Sequence, residues 1–400
     1  MNLASLSASY LRARPLQTGL SLLLLALGVG TIVMLLLAVT QLEDRMGRDA
    51  RGIDLVVGAK GSPMQLILAG IYHLDAPTGN IPLASVAQLE KNRMVKRVIP
   101  LALGDGWRGF RIVGAPRSYL ELYGARIQGE FYSRPLQAVL GAEVAQRTGA
   151  GVGTTFKGAH GIGNEGGDEH DMPYTVVGVL ARTGTVIDRL VLTSIESVWH
   201  VHEAAHEPAD EADRKALEED REVTVLLVQY ASPLAAASLP RAINATSALQ
   251  AASPALETAR LFRIVGAGAE AMRAFAVVLV LAAALSVFVA LYTALEQRRY
   301  ELAVMRVLGA SPGRLFGLLV AEGAVLAAAG SLLGVALGHA LTSALGAWLE
   351  QAQQPTVTGL AFLPEELAVA ALAVLVGIVA AFIPAWRAYR TDVSRTLASG

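Results

Sequence analysis

The sequence contains no cysteine, which excludes a disulfide framework, thiol nucleophiles and cysteine-ligated zinc or iron–sulfur centres. Charge is scarce too: Asp, Glu, Lys and Arg make up 17% of the 400 residues, against roughly 25% in an ordinary soluble domain. The 33 basic and 34 acidic residues leave a net charge of −1, which removes the basic footprint of a nucleic-acid binder. A hydrophobic fraction of 53% excludes a disordered chain. Glycine, by contrast, is plentiful at 39 residues. That is too many for a plain helical bundle, so the averages mix two unlike kinds of structure.

Four stretches account for the missing charge. Gln17–Thr40, Ala274–Leu295 and Leu367–Trp386 contain no Asp, Glu, Lys or Arg, and residues 315–349 contain only Glu322 and His339 as ionisable groups. About 20 apolar residues cross a hydrocarbon core of roughly 30 Å, so all four are read as spanning helices. The third is longer than a span requires and must tilt, break or project. The first has an apolar run too long for a signal-peptide core and no convincing cleavage site, so it is read as an uncleaved anchor. The expected divisions are a tail 1–16, helices 17–40, 271–295, 315–349 and 367–386, an intervening domain 41–270, loops 296–314 and 350–366, and a tail 387–400.

Orientation follows from Lys and Arg near the span ends. Arg12 and Arg14 precede the first span, Arg298, Arg299, Arg306 and Arg314 lie between the second and third, and Arg387, Arg390 and Arg395 follow the fourth. The loop 350–366 has neither Lys nor Arg. Both termini and the 296–314 loop are therefore expected on the cytoplasmic side, and 41–270 outside. That large segment carries β-branched runs such as "IDLVVGA" from Ile53, "GFRIVGA" from Gly109, "YTVVGVL" from Tyr174, "RLVLTS" from Arg189 and "VTVLLVQY" from Val223. Helical patterns lie between them, near 83–92 and 239–250. The expected fold is a membrane protein of four transmembrane α-helices with an α+β extracytoplasmic domain inserted between spans one and two. Residues 42–51 and 255–273 read as helical extensions of the flanking spans.

The loop after the second span reads "EQRRYELAVMRVLGASPGRLFGLLVAEG" from Glu296. Its amphipathic part carries Leu302, Met305 and Leu308 along one flank with Arg299, Glu301 and Arg306 among them, and Gly309 followed by Ser311-Pro312-Gly313 ends it. Read alone, it would seat equally well on a partner protein or on anionic lipid. The segment resembles the signature of MacB/FtsX-type ABC transporter permeases, R-x-x-E-[IL]-A-x-[LM]-[RK]-[AV]-[LI]-G-A-[ST], matched by Arg298, Glu301, Leu302, Ala303, Met305, Arg306, Val307, Leu308, Gly309, Ala310 and Ser311. The tail "IPAWRAYRTDVSRTLA" resembles the family's ending through Pro384, Ala385, Arg387 and Ala388, with Asp392-Val393 where the family has Asp-Pro. "RIVGAPRSYLELYGARIQGEF" and "AVLGAEVAQRTGAGVGTTF" resemble its outer domain more weakly.

The resemblance implies a permease subunit in the bacterial inner membrane. Its loop, through Arg298, Arg299, Glu301, Leu302, Met305, Arg306, Leu308 and Gly309, would couple to a cytoplasmic ABC ATPase. It further implies a pair of permeases with a pair of ATPases, and an adaptor, lipoprotein or hydrolase as periplasmic partner. No G-x-x-x-x-G-K-[ST] occurs in the sequence, so ATP and magnesium are assigned to the separate ATPase and no cofactor to this chain. Gly330, Gly334 and Gly338 place a glycine stripe on one face of the third span, suited to close helix packing in lipid.

One motif stands apart. "HVHEAAH" sets His202 and His206 at i, i+4, and His202-Glu203-Ala204-Ala205-His206 satisfies the zincin spacing. Both imidazoles are candidate zinc ligands, with Glu203 as general base, and a membrane-anchored zinc peptidase is the alternative function. Against it, five-residue matches arise by chance, and "EPADEADRKALEED" beyond it reads as a solvated charged segment. A third reading is a regulator of a periplasmic enzyme that moves no substrate.

Overall fold

The structure, a computed structural model, describes residues 15–161, 169–203, 211, 218, 220–297, 304–351 and 357–390. It comprises two compact units: residues 1–42 with 265–400, and residues 43–264.

The chain enters the second unit through the end of helix α1 (Pro15–Asp49) and then runs β1 (Leu55–Ala59), α2 (Pro63–Gly70), β2 (Ile81–Pro82), α3 (Ala84–Glu90) and β3 (Val95–Trp107). Next come β4 (Phe110–Gly114), α4 (Arg117–Leu122), β5 (Ile127–Gly129), β6 (Gln137–Leu140), α5 (Ala142–Thr148), β7 (Thr155–His160) and β8 (Glu169–Leu180). The unit finishes with β9 (Leu190–Thr193), α6 (Ile195–Glu203), β10 (Glu222–Val223), β11 (Val225–Tyr230), α7 (Ala235–Thr246) and β12 (Leu249–Ala252). Local chemistry sets many of these ends. Ser62 caps α2 by accepting from the Gln65 amide with Pro63 at the first helical position, and α5 stops at Gly149 in the left-handed conformation. The helix expected near 239–250 ends earlier, because Leu249–Ala252 pairs as an edge strand with β1.

The sheet divides this unit into two lobes. In the first, β12, β1, β11 and β3 pair antiparallel in that order. Their apolar face meets α3, α6 and α7 through Leu89, Val198, Leu239 and Ile243. In the second, the pairings run β3–β4–β9–β6–β8–β7 and back to β3, closing a ring of six strands. Trp107, Phe110, Ile112, Leu140, Phe156, Tyr174 and Val191 fill it. Among the described residues the closing pair, β3 with β7, has two register positions, Asp105 opposite His160 and Gly106 opposite Ala159, with the Gly161 amide donating to the Gly104 carbonyl beside them.

The helical unit contains the rest of α1 with α8 (Pro254–Gln297), α9 (Pro312–Gln351) and α10 (Glu365–Tyr389). All four helices are long and apolar enough to cross a membrane. The boundary between units falls inside α8, and α9 is unbroken over 40 residues.

Gly330, Gly334 and Gly338 face α1. A Cβ at these positions would lie 2.7 Å from Leu25 Cδ2, 2.6 Å from Val29 Cβ and 2.7 Å from Val33 Cβ, respectively. Absence of side chains is therefore what lets the two backbones approach. On the same helix His339 contacts the Gly359 carbonyl at 2.6 Å and a Glu366 carboxylate oxygen at 2.8 Å. Glu322 is buried.

Candidate functional site

Four elements of the six-stranded ring and its neighbouring helix converge at one end of β3. Register shifts mark the place: β3 slips against β4 between Leu103 and Gly106, and β7 against β8 between Lys157 and Ala159. A bulge of this kind re-aims a side chain. The residue inside the first is Asp105, which is 2% exposed. His160 ends β7, His170 begins β8 and His202 lies in the last turn of α6. His160 Nδ1 and His170 Nε2 stand 3.5 and 3.1 Å from Asp105 Oδ1, and His202 Nε2 stands 3.4 Å from Oδ2. One donor atom from each of the four residues lies within 4.8 Å of all the others.

The imidazoles surround the carboxylate without aligning to it. Both Asp105 oxygens and His170 Nε2 are buried, and among the described residues none of the three meets a partner in good hydrogen-bond geometry. Burial pushes the Asp105 carboxyl up, but the neighbouring His202 and His170 outweigh it and hold the group below its usual range. Contact with Asp105 raises His202 despite an opposing effect of burial. Exposure is graded across the cluster, from 1% for the Asp105 side chain through 11% for His170 to 40% for His202 and 56% for His160. A cavity of about 400 Å³, lined by Asn80, Leu103, Trp199, His202, Arg221 and Thr224 among others, opens beside His202.

The zincin pattern fares differently. Glu203, the would-be general base, directs its two oxygens to Arg221 at 3.2 and 3.4 Å, and Arg221 also covers the Trp199 ring at 4.7 Å. His206 lies outside the described residues. Among the described residues the structure gathers His202 with Asp105, His160 and His170.

Of the coupling residues read from the sequence, Arg298, Arg299, Glu301 and Leu302 also lie outside the described residues. Residues 304–307 are helical, and Gly309, at φ +101, ends that turn before α9. Met305 turns inward onto a cluster containing Leu291, Leu295, Leu315 and Leu319. The outward apolar pair is Val307 and Leu308, at 65% and 81% exposed. The expected flank of Met305 with Leu308 is therefore split. Three residues apart, the two would share a face in a continued helix, but the helical run ends at Val307 and the turn closes at Gly309.

A MacB-like periplasmic core domain matches residues 18–246, more than half of the chain, and an FtsX-like permease C-terminal domain matches residues 273–393. The chain belongs to the MacB/FtsX-like permease family. These permeases are the membrane components of ABC transporters, which implies an ABC ATPase as partner. Among solved structures, the extracellular domain of the noncanonic ABC-type transporter YknZ from Gram-positive bacteria is similar at 13% identity. It covers 50% of this chain and 98% of its own, with a TM-score of 0.29, too low to carry an argument. No curated protein matches the chain.

Sequence reasoning missed Asp105, His160 and His170 as a set in this permease. The one local signal was Asp105 itself, an acid between two glycines in the otherwise apolar "LALGDGW".

Proposed function

We propose that this permease transmits motion. A separate ATPase bound at the 296–314 loop would shift the spanning helices, and these would move the large domain between the first two spans. The domain would then export or extract a lipophilic or periplasmic substrate. The arginine distribution supports an inner-membrane protein with both termini and this loop cytoplasmic. One coupling loop per chain favours a pair of permeases serving a pair of ATPases. An adaptor, lipoprotein or hydrolase is the periplasmic partner class suited to such a domain.

The observation that carries the reading is the exposed pair Val307 and Leu308 at the turn between α8 and α9, inside the segment that matches the FtsX-like domain. Exposed apolar side chains on so short a turn gain most by seating in a groove of a partner protein. Changing both residues to Asp should leave the chain inserted and its thermal midpoint unchanged while abolishing co-purification with its cognate ATPase. Arg306→Glu should weaken the same capture. Recovery of the complex at wild-type yield from the double variant would sink the reading.

A further inference from the structure

We propose that Asp105, His160, His170 and His202 form a binding site for one divalent transition-metal ion of the zinc class. The inference is independent of how the permease couples to ATP.

The donor chemistry comes first. Three imidazole nitrogens and one carboxylate suit zinc, and also copper or nickel, whereas calcium and magnesium require mostly oxygen. The spacing agrees. Metal–ligand bonds of about 2.0–2.1 Å in a tetrahedron put neighbouring donors about 3.3–3.4 Å apart. The three approaches of imidazole nitrogen to Asp105 oxygen are 3.1, 3.4 and 3.5 Å. Each imidazole nitrogen therefore stands about one coordination edge from one or other Asp105 oxygen, and one donor atom from each residue lies within 4.8 Å of the rest.

The second argument is the cost of leaving the site without an ion. A buried polar group lacking a partner is destabilising, and a buried carboxylate more so. Here both oxygens of Asp105 and Nε2 of His170 are in that position. Three rings crowd them, with centroids 4.4–5.2 Å apart. One cation among the four would take His170 Nε2 and one Asp105 oxygen as ligands and offset the charge on the other oxygen. The route to it is open, because His160 and His202 are exposed and the cavity adjoins His202.

The third argument concerns what the ion would hold. The ligands come from β3, β7, β8 and α6. Their meeting point is the β3–β7 seam, which among the described residues is closed by two register pairs and one adjoining backbone hydrogen bond, from the Gly161 amide to the Gly104 carbonyl. Four protein ligands fill a tetrahedral shell and leave no position for substrate, the arrangement of a structural site rather than a hydrolytic one. The metal would thus pin the ring shut and stiffen its end.

The test uses the full chain in detergent, stripped with a chelator and titrated with Zn²⁺, and with Co²⁺ as a spectroscopic probe. One ion per chain should bind, with the intense visible bands of tetrahedral Co²⁺. At 100 times Kd the thermal midpoint should rise by roughly 5–10 °C. Asp105→Ala and His170→Ala should weaken binding by more than about 100-fold, beyond what loss of an outer-shell partner costs. Because those residues are buried and their variants risk misfolding, exposed His160→Gln is the decisive variant: it should keep the fold and lose the cobalt bands. The competing pairing of His202 with His206 predicts the reverse, retention in His160→Gln and loss in His206→Ala. That result, or no saturable Zn²⁺ binding by the wild-type chain, would overturn the proposal.

Discussion

The two units of this permease both bury leucines and valines, but they differ in what lets their elements approach one another. The sheet unit packs large side chains, with Tyr119, Tyr174, Leu55, Leu101 and Leu140 among its largest fully buried residues. The helical unit has leucine clusters too, but at several helix contacts it packs by omission: glycines of α9 meet Leu25, Val29 and Val33 of α1, Gly28 meets Val280, and Gly377 meets Ala327. Lipid offers no gain for sequestering a leucine, so close backbone approach and dispersion do the holding there. In the sheet unit, burial from water supplies the drive, and volume is what counts. Two buried carboxylates, one in each unit, also differ. Buried Glu366 of the helical unit is satisfied by His339 and the Leu363 amide, whereas Asp105 in the sheet unit is ringed by donors that do not meet it in good hydrogen-bond geometry.

The contrast can be broken by substitution. Leu140→Ala removes a fully buried side chain from the ring and should cost about 2–5 kcal/mol of sheet-unit stability, read as a lowered denaturation midpoint. In α9 the sign reverses. Gly334→Ala adds one methyl where Val29 Cβ already stands within 2.6 Å and should destabilise by about 1–3 kcal/mol. On the same helix Gly317, with nothing within 4 Å of its would-be Cβ, should tolerate Ala without loss. If Gly334→Ala and Gly317→Ala behave alike in detergent melts, the helices are not packed by omission.

A smaller effect concerns pH. His73 is buried, contacts the Tyr119 hydroxyl at 3.1 Å, and is held well below its ordinary pKa by burial and then by Arg111 and Arg189. The folded state keeps this ring neutral while the unfolded chain protonates it near pH 6.5. Stability is therefore complete above that pH and falls as the pH drops toward the folded value, by up to about 1.4 kcal/mol per unit. His73→Gln should flatten the decline of the melting midpoint between pH 7 and pH 5. An unchanged slope would show that His73 is not its source.

What could be read before the fold was seen is what is written locally. Four long apolar runs, the β-branched strands and the "ELAVMRVLGAS" loop each declare themselves within a few turns of chain. The inward turn of Met305 was not legible, because it depends on leucines of two helices that meet only when folded. Nor was the histidine cluster. His202 has a tempting neighbour four residues on, yet the groups around it arrive from β3, β7 and β8 by strand pairing. Periodicity tells which face a residue takes, but the order of strands in a sheet is set by contacts far apart in sequence.

Strand β3 has a consequence of its own. Its first half, Val95–Leu101, is ladder partner to β11, and its second half, Ala102–Trp107, to β4 and β7. Lobes that share one continuous strand cannot be inherited as separate modules. A recombination event exchanging either lobe would have to splice within β3 and preserve its phase, since a slip of one residue inverts every side chain beyond the join. The two halves of this domain are therefore bound to diverge together, each limiting the sequences open to the other.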